Sequence, residues 1–308
     1  MNSYEIDESS FDMTGIEAGE NTDLVIHESI SFWKDAFRRF VRNPVAMFGL
    51  VIIIIMTLLS IFAPMFSKYS YTETNYAEAN LGFSKEHWFG TDELGRDMWT
   101  RVWVGGRVSL LIGLLGAVLP CIIGVIIGGI SGYFGGKVDM FIMRLVDIGM
   151  CIPNMIYIIL LMLYLGSGPL SIIIAFSITA WMDTARSVRG LVLQLKEMEF
   201  VTAAKALGDS SLRIIFVHLI PNIIGFLIIR IAGMIPGVIF AEAYMSYIGL
   251  GVQIPMTSWG QLCDAGTAVL RSAPHRLFIP AFLISLTMLS FVLVGDGLRD
   301  ALDPKLRT

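Results

Sequence analysis

Long apolar stretches without a charged side chain restrict the fold of this chain more than any other feature, and three of them carry the argument. Val45 to Pro64 supplies twenty such residues, Val108 to Gly136 twenty-nine, and Leu277 to Gly295 nineteen. A helix needs about 20 apolar residues to cross the hydrocarbon core of a bilayer. No water satisfies the backbone there, so only helices and closed barrels cross it. None of the runs alternates apolar and polar residues as a barrel strand does. These runs also account for a charged fraction of 16%, below the roughly 25% of soluble domains.

Three further runs are apolar with few interruptions. Met140 to Leu165 carries Arg144 and Asp147, Leu170 to Ala185 carries Asp183, and Pro221 to Tyr247 carries Arg230 and Glu242. Gly166-Ser-Gly-Pro169 breaks the chain between the first two. The expected fold is therefore an all-α polytopic membrane protein with six transmembrane helices. An even number places both termini on one side. With that side cytosolic, inner segments hold fourteen Lys and Arg and outer loops seven, which favours termini inside. The expected organisation is an acidic, disordered cytosolic tail at 1–36, then an interfacial helix and first span at 37–66. An external loop at 67–104, a five-helix block at 105–299 and a short cytosolic tail at 300–308 complete it.

The first 33 residues hold eight acids and no Lys or Arg, and have neither the basic start nor the apolar core of a secretory signal. Trp33 to Arg42 alternates aromatic and basic residues, as an interfacial helix does. Cys121, Cys151 and Cys263 show no metal spacing and read as small apolar residues. No nucleotide-binding loop is present. The nearest approach, Gly135-Gly136-Lys137-Val138, has Ser131 in place of the first glycine and Val138 in place of the hydroxyl residue. No zinc-type His pair or nucleophile elbow appears either. The chain is thus expected not to be an enzyme and to bind no cofactor itself, so uphill movement would need a partner or an ion gradient.

Glu199 to Gly208, Glu-Phe-Val-Thr-Ala-Ala-Lys-Ala-Leu-Gly, lies between two apolar spans on the expected cytosolic side. Its residues favour a helix up to Leu207, and Gly208 is a natural stop. Asp209 and Ser210 are suited to cap the helix that runs on into the membrane. Ala203, Ala204 and Ala206 leave a slim surface able to enter a groove on another protein. The bland alternative is a loop that merely joins two spans.

The pattern Glu199, Ala203, Ala204, Gly208, His218 and Pro221 resembles the coupling signature of permease subunits of ABC importers. Arg39-Phe-Val-Arg-Asn-Pro44 with Phe62-Ala-Pro64, and Phe89-Gly-Thr-Asp-Glu-Leu-Gly-Arg-Asp97, resemble parts of the C-type permease of dipeptide/oligopeptide transport. Gly132 to Gly136, Met143 to Asp147, Ser246 to Gly251, Ser258 to Gly260 and Gly295 to Pro304 extend the likeness. The resemblance covers nearly all of Phe37 to Arg307. It implies a type I importer fold in the bacterial cell (inner) membrane, with a coupling helix at 197–209. It also implies a homologous permease partner forming a heterodimer, two ATP-binding cassette subunits that hold ATP and Mg, and an external substrate-binding protein. Peptides are the favoured cargo, with nickel or another small solute as the alternative. No nucleic-acid partner is expected.

Charges inside the spans are the other candidates. Arg230 lies about 14 Å into its span from Pro221, at 1.5 Å per residue. A charge at that depth needs a polar partner or a wet cavity. Asp147 and Asp183 are possible partners, and the alternative is that Arg230 lines the transport pathway. Arg144 and Asp147 are spaced to pair on one helix, and Glu242 is placed near the outer end of its span. The outer motif Gly90 to Asp97 reads either as a self-satisfied loop or as a contact for a binding protein. Gly124, Gly128, Gly132 and Gly136 recur every four residues, which allows close helix packing; within the bundle or against a sister subunit are both open. An ion-coupled secondary transporter would need paired mid-depth acids and inverted repeats, and an intramembrane enzyme a catalytic pair at matched depth. Neither pattern is visible.

Overall fold

The computed structural model describes residues 32–303. Most of the expected acidic tail lies outside the described residues. Its last five, 32–36, are helical. Helix α1, Phe32–Arg42, turns Ala36 and Phe40 inward and carries an Asp35–Arg39 ion pair of 3.0 Å on its polar side. Asn43 then caps α2, Pro44–Phe62, accepting from the backbone of Val45 and Ala46 at 3.1 Å each. Pro44 at the first helical position lacks the N–H that such a start leaves orphaned. A 3-10 turn, Ala63–Met65, ends this span.

Helix α3, Met98–Phe134, is the longest element at 37 residues, about 55 Å at 1.5 Å per residue. Residues 98–104 of the expected external loop at 67–104 are therefore helical and form the start of α3. Asp97 caps it, and Arg101 and Arg107, which interrupt the apolar run, find partners outside it. Next come α4, Gly136–Met150, α5, Asn154–Leu165, α6, Pro169–Thr179, and α7, Trp181–Leu195. A short α8, Glu199–Ala206, precedes α9, Ser211–Arg213, a π-helical stretch, Ile214–Leu219, and α10, Ile220–Asn222. Helices α11, Ile224–Tyr247, α12, Trp259–Ala268, and α13, His275–Leu302, complete the chain. Among the described residues the sole β-pairing is an isolated bridge between Thr91 and Asp97.

Four of these elements, spanning Pro44–Met65, Met98–Phe134, Ile224–Tyr247 and His275–Leu302, are long and apolar enough to cross a bilayer. Two of the six expected spans differ from single helices. The run Met140–Leu165 is broken at Cys151–Pro153, where α4 and α5 meet at 84°. Pro153 disfavours helical backbone in the residue before it, which forces the break. Counting that pair as one span gives five. The run Leu170–Ala185 is divided at Ala180 between α6 and α7, and α7 continues to Leu195. At the far end α13 extends to Leu302, into the segment expected as a tail.

The glycine spacing on α3 is explained within the chain. A Cβ on Gly124 would lie 2.6 Å from Thr184 Cβ, and one on Gly128 2.4 Å from the Ala185 carbonyl oxygen. Gly132 faces Arg189 and Val192 in the same way, so the stripe is filled by α7 rather than left for a sister subunit. Gly136 is not part of it. It lies past the end of α3 with φ +53°, and a Cβ added there would meet nothing within 4 Å. Gly128→Ala is expected to destabilise the fold by about 1–3 kcal/mol through overpacking. A lowered melting temperature of the detergent-solubilised protein would show this, and an unchanged one would mean that α3 and α7 are not so close.

Candidate functional site

Helix α8 stands on a small core of its own. Val201 and Ala204, three residues apart, are both buried, packed with Val188 and Val192 of α7, Ile214, Ile215 and Leu219, and Cys121 and Val125 of α3. The opposite face is open: Glu199, Ala203 and Ala206 are exposed, and Leu207 at the tip is 87% exposed. Glu199 in the first turn and Lys205 in the last both complement the helix dipole. The helix ends in a Schellman motif. Gly208 N–H donates to the Lys205 carbonyl at 3.1 Å and Asp209 N–H to that of Ala204 at 3.1 Å. The motif requires left-handed backbone, and Gly208 has φ +87°.

Ala204 thus faces the protein's own interior, not the slim outer surface expected of it. Ala203 and Ala206 remain on that surface. Asp209 is not a cap either. Its carboxylate binds His218 Nε2 at 2.9 Å and Arg213 Nε at 3.2 Å, while Ser210 caps α9. The Asp209–His218 bond ties the end of α8 to the π-helical stretch. The sequence offered Asp209 as a cap and did not reveal its pairing with His218; the acid directly after a helix-stop glycine, nine residues before a histidine, was the available signal.

Arg230 lies apart from α8, on α11. Its guanidinium pairs with Asp183 of α7, and both groups line a cavity of about 330 Å³. The wall includes Gly149 to Met150 and Ile152 to Asn154 at the α4–α5 break, and Ala180 at the α6–α7 break. The pair is not sealed: Asp183 is 58% and Arg230 24% exposed. Asp147 pairs with Arg186 of α7 rather than with Arg144. Glu242 is not interfacial. It is fully buried and accepts hydrogen bonds from Ser109 at 3.0 Å and Ser246 at 2.8 Å.

The motif Gly90 to Asp97 folds on itself. Asp92 binds Arg96 Nε at 2.6 Å and lies 3.6 Å from Arg101 Nε, with all three buried. Asp97 accepts from Thr100 N at 2.8 Å and contacts His87 Nδ1 at 2.9 Å. Arg276 of α13 reaches Glu93 and Asn80, and Arg101 reaches Gln261 of α12. Gly95 closes the turn with φ +72°, so near Asn75 that a Cβ would touch its carbonyl oxygen at 1.8 Å.

Residues 124–308 match the family described as binding-protein-dependent transport system inner membrane component, which is more than half of the chain. The chain belongs to this family. Residues 31–82 of the permease also match the N-terminal TM domain of oligopeptide transport permease C. It is 48% identical over 302 residues to the oligopeptide transport system permease protein OppC of Bacillus subtilis (strain 168), covering 98% of this chain and 99% of that one. The dipeptide transport system permease protein DppC of the same organism is 44% identical over 292 residues, 94% of the permease and 91% of that protein. OppC of Haemophilus influenzae is 43% identical over 280 residues, 90% of each chain.

Proposed function

We propose that this permease is one of two membrane subunits of an ATP-driven peptide importer. The observation that carries the reading is α8, a short helix rooted in the α3–α7 core that offers Glu199, Ala203, Ala206 and Leu207 outward. Cytosolic ATP-binding cassette subunits dock on that face, hold ATP and Mg, and do the hydrolysis. Their closure moves α8, and Ala204 and Val201 pass the displacement to α7. Gly208 fixes where the rod ends, and the Asp209–His218 bond carries its motion to the base of α11. The chain crosses the bacterial inner membrane six times with both termini cytosolic, the bent α4–α5 pair and the divided α6–α7 pair making two of the crossings. A homologous permease forms the other half of the path, and an external binding protein delivers cargo.

The relatives named for oligopeptide and dipeptide transport support peptide cargo. Arg230 lines the path, with Asp183 as its resting partner, and meets the carboxylate of a passing peptide. In cells lacking this chain, uptake of labelled di-, tri- and longer peptides is expected to fall to background while nickel uptake continues. Persistent peptide uptake, with nickel uptake lost, would overturn the cargo assignment. Co-purification of ATPase subunits with the tagged chain checks the docking.

A further inference from the structure

A second cavity, of about 550 Å³, opens where α2 ends and the 66–97 segment begins. Its floor is apolar, made by Leu59, Phe62 and Phe66, and Trp88 and Trp99 form a wall. Phe66 is 85% exposed and Trp88 59%, although both are large and apolar. Lys68 and Lys85 stand among the lining residues. The neighbouring cations are held: Arg96 and Arg101 by Asp92, Arg276 by Glu93, and Arg107 by the Ser60 and Ile61 carbonyls. No ion pair within the described residues engages Lys68 or Lys85. Of the two acids in the lining, Asp97 is already bound to His87 and Thr100. Glu86 is the other, and it is exposed.

We propose that this cavity binds one anionic phospholipid, a phosphatidylglycerol. The vertical order of the site matches that of such a lipid. Leu59 and Phe62 lie in the spanning segment Pro44–Met65, at the depth of an acyl chain. Lys68 comes three residues past its end, at headgroup level, with Trp88, Trp99 and Tyr69 placed as an interfacial aromatic belt. Two ammonium groups without an ion-pair partner among the described residues complement one phosphate, and each basic residue near a membrane surface strengthens anionic lipid binding. Glu86 faces the glycerol headgroup, whose hydroxyls donate to it. The lipid covers aromatic surface that would otherwise meet water and braces the folded outer segment against α2.

Trp88 makes the site readable. The full chain with its partner subunits is reconstituted in phosphatidylcholine vesicles containing rising fractions of dibrominated phosphatidylglycerol, and tryptophan fluorescence is followed. Quenching is expected to saturate at a low fraction of brominated lipid and to lose that component in Trp88→Phe. In the Lys68→Gln/Lys85→Gln protein the half-quenching fraction is expected to rise about tenfold or more. Both lysines are exposed, so the variant keeps its fold, which an unchanged melting temperature verifies. Equal curves for the two proteins would overturn the proposal. Equal quenching by dibrominated phosphatidylcholine, or release of the quenching by inorganic phosphate, would do so as well, the latter marking a free-anion site.

Discussion

Replacing Ala203 by Trp and Leu207 by Asp together is expected to stop peptide uptake while leaving the chain folded and in the membrane. Both residues are exposed on α8, away from the core beneath it. Bulk at Ala203 blocks insertion into a groove, and a carboxylate at Leu207 would be buried unpaired in the docked state. Loss of a central docking contact is worth about 2 kcal/mol or more, roughly a 30-fold loss of ATPase association. Uptake should fall at least as far, with basal ATP hydrolysis by the released subunits continuing. Ala204→Trp should behave differently. Its side chain points among Val188, Val192 and Ile215, so it is expected to lower the melting temperature as well as uptake. Gly208→Pro also acts through geometry, because proline cannot adopt the φ of +87° that ends the helix. Equal effects from Ala203→Trp and Ala204→Trp on melting would contradict the two-faced helix.

Arg230→Gln should reduce uptake by at least about tenfold, since a charge-assisted contact contributes about 1.5–3 kcal/mol. Subunit assembly should persist, because Asp183 is 58% exposed and tolerates the loss of its partner. The decisive variant is the swap Arg230→Asp with Asp183→Arg. It preserves the ion pair but moves the cation to the other wall of the cavity. Assembly measured by co-purification is expected to recover and uptake to stay low. Recovery of both would make the pair a structural tie with no part in transport.

The sequence made the membrane character legible because hydropathy is a local property, and four of the spans need nothing else. It also carried the helix that begins at Glu199, which ends at Ala206, one residue before the expected Leu207, and its glycine stop, since both arise from propensity and backbone conformation. What it hid depended on distant partners. Glu242 reads as a charge near a span end, yet its partner Ser109 lies 133 residues away on α3. The early start of α3 was masked by Arg101 and Arg107, whose charges are satisfied by Gln261 and by the end of α2. The bend at Pro153 was hidden by apolar residues on both sides, which make a broken helix and a straight one equally hydrophobic. For α8 the inward side was nearly readable: Val201 and Ala204 are three apart, while the three alanines drew attention to composition rather than to facing.

The proposed role of α8 as the point where force enters the membrane can be measured by placing a cysteine at Leu207 in the assembled transporter, with Cys151 and Cys263 replaced by Ser and the buried Cys121 kept. The account predicts no reaction with a membrane-impermeant maleimide added outside intact cells. It also predicts a crosslink from this cysteine to an ATP-binding cassette subunit whose yield changes when ATP is bound. Labelling from outside, or a crosslink to no ATPase subunit in any nucleotide state, would contradict it.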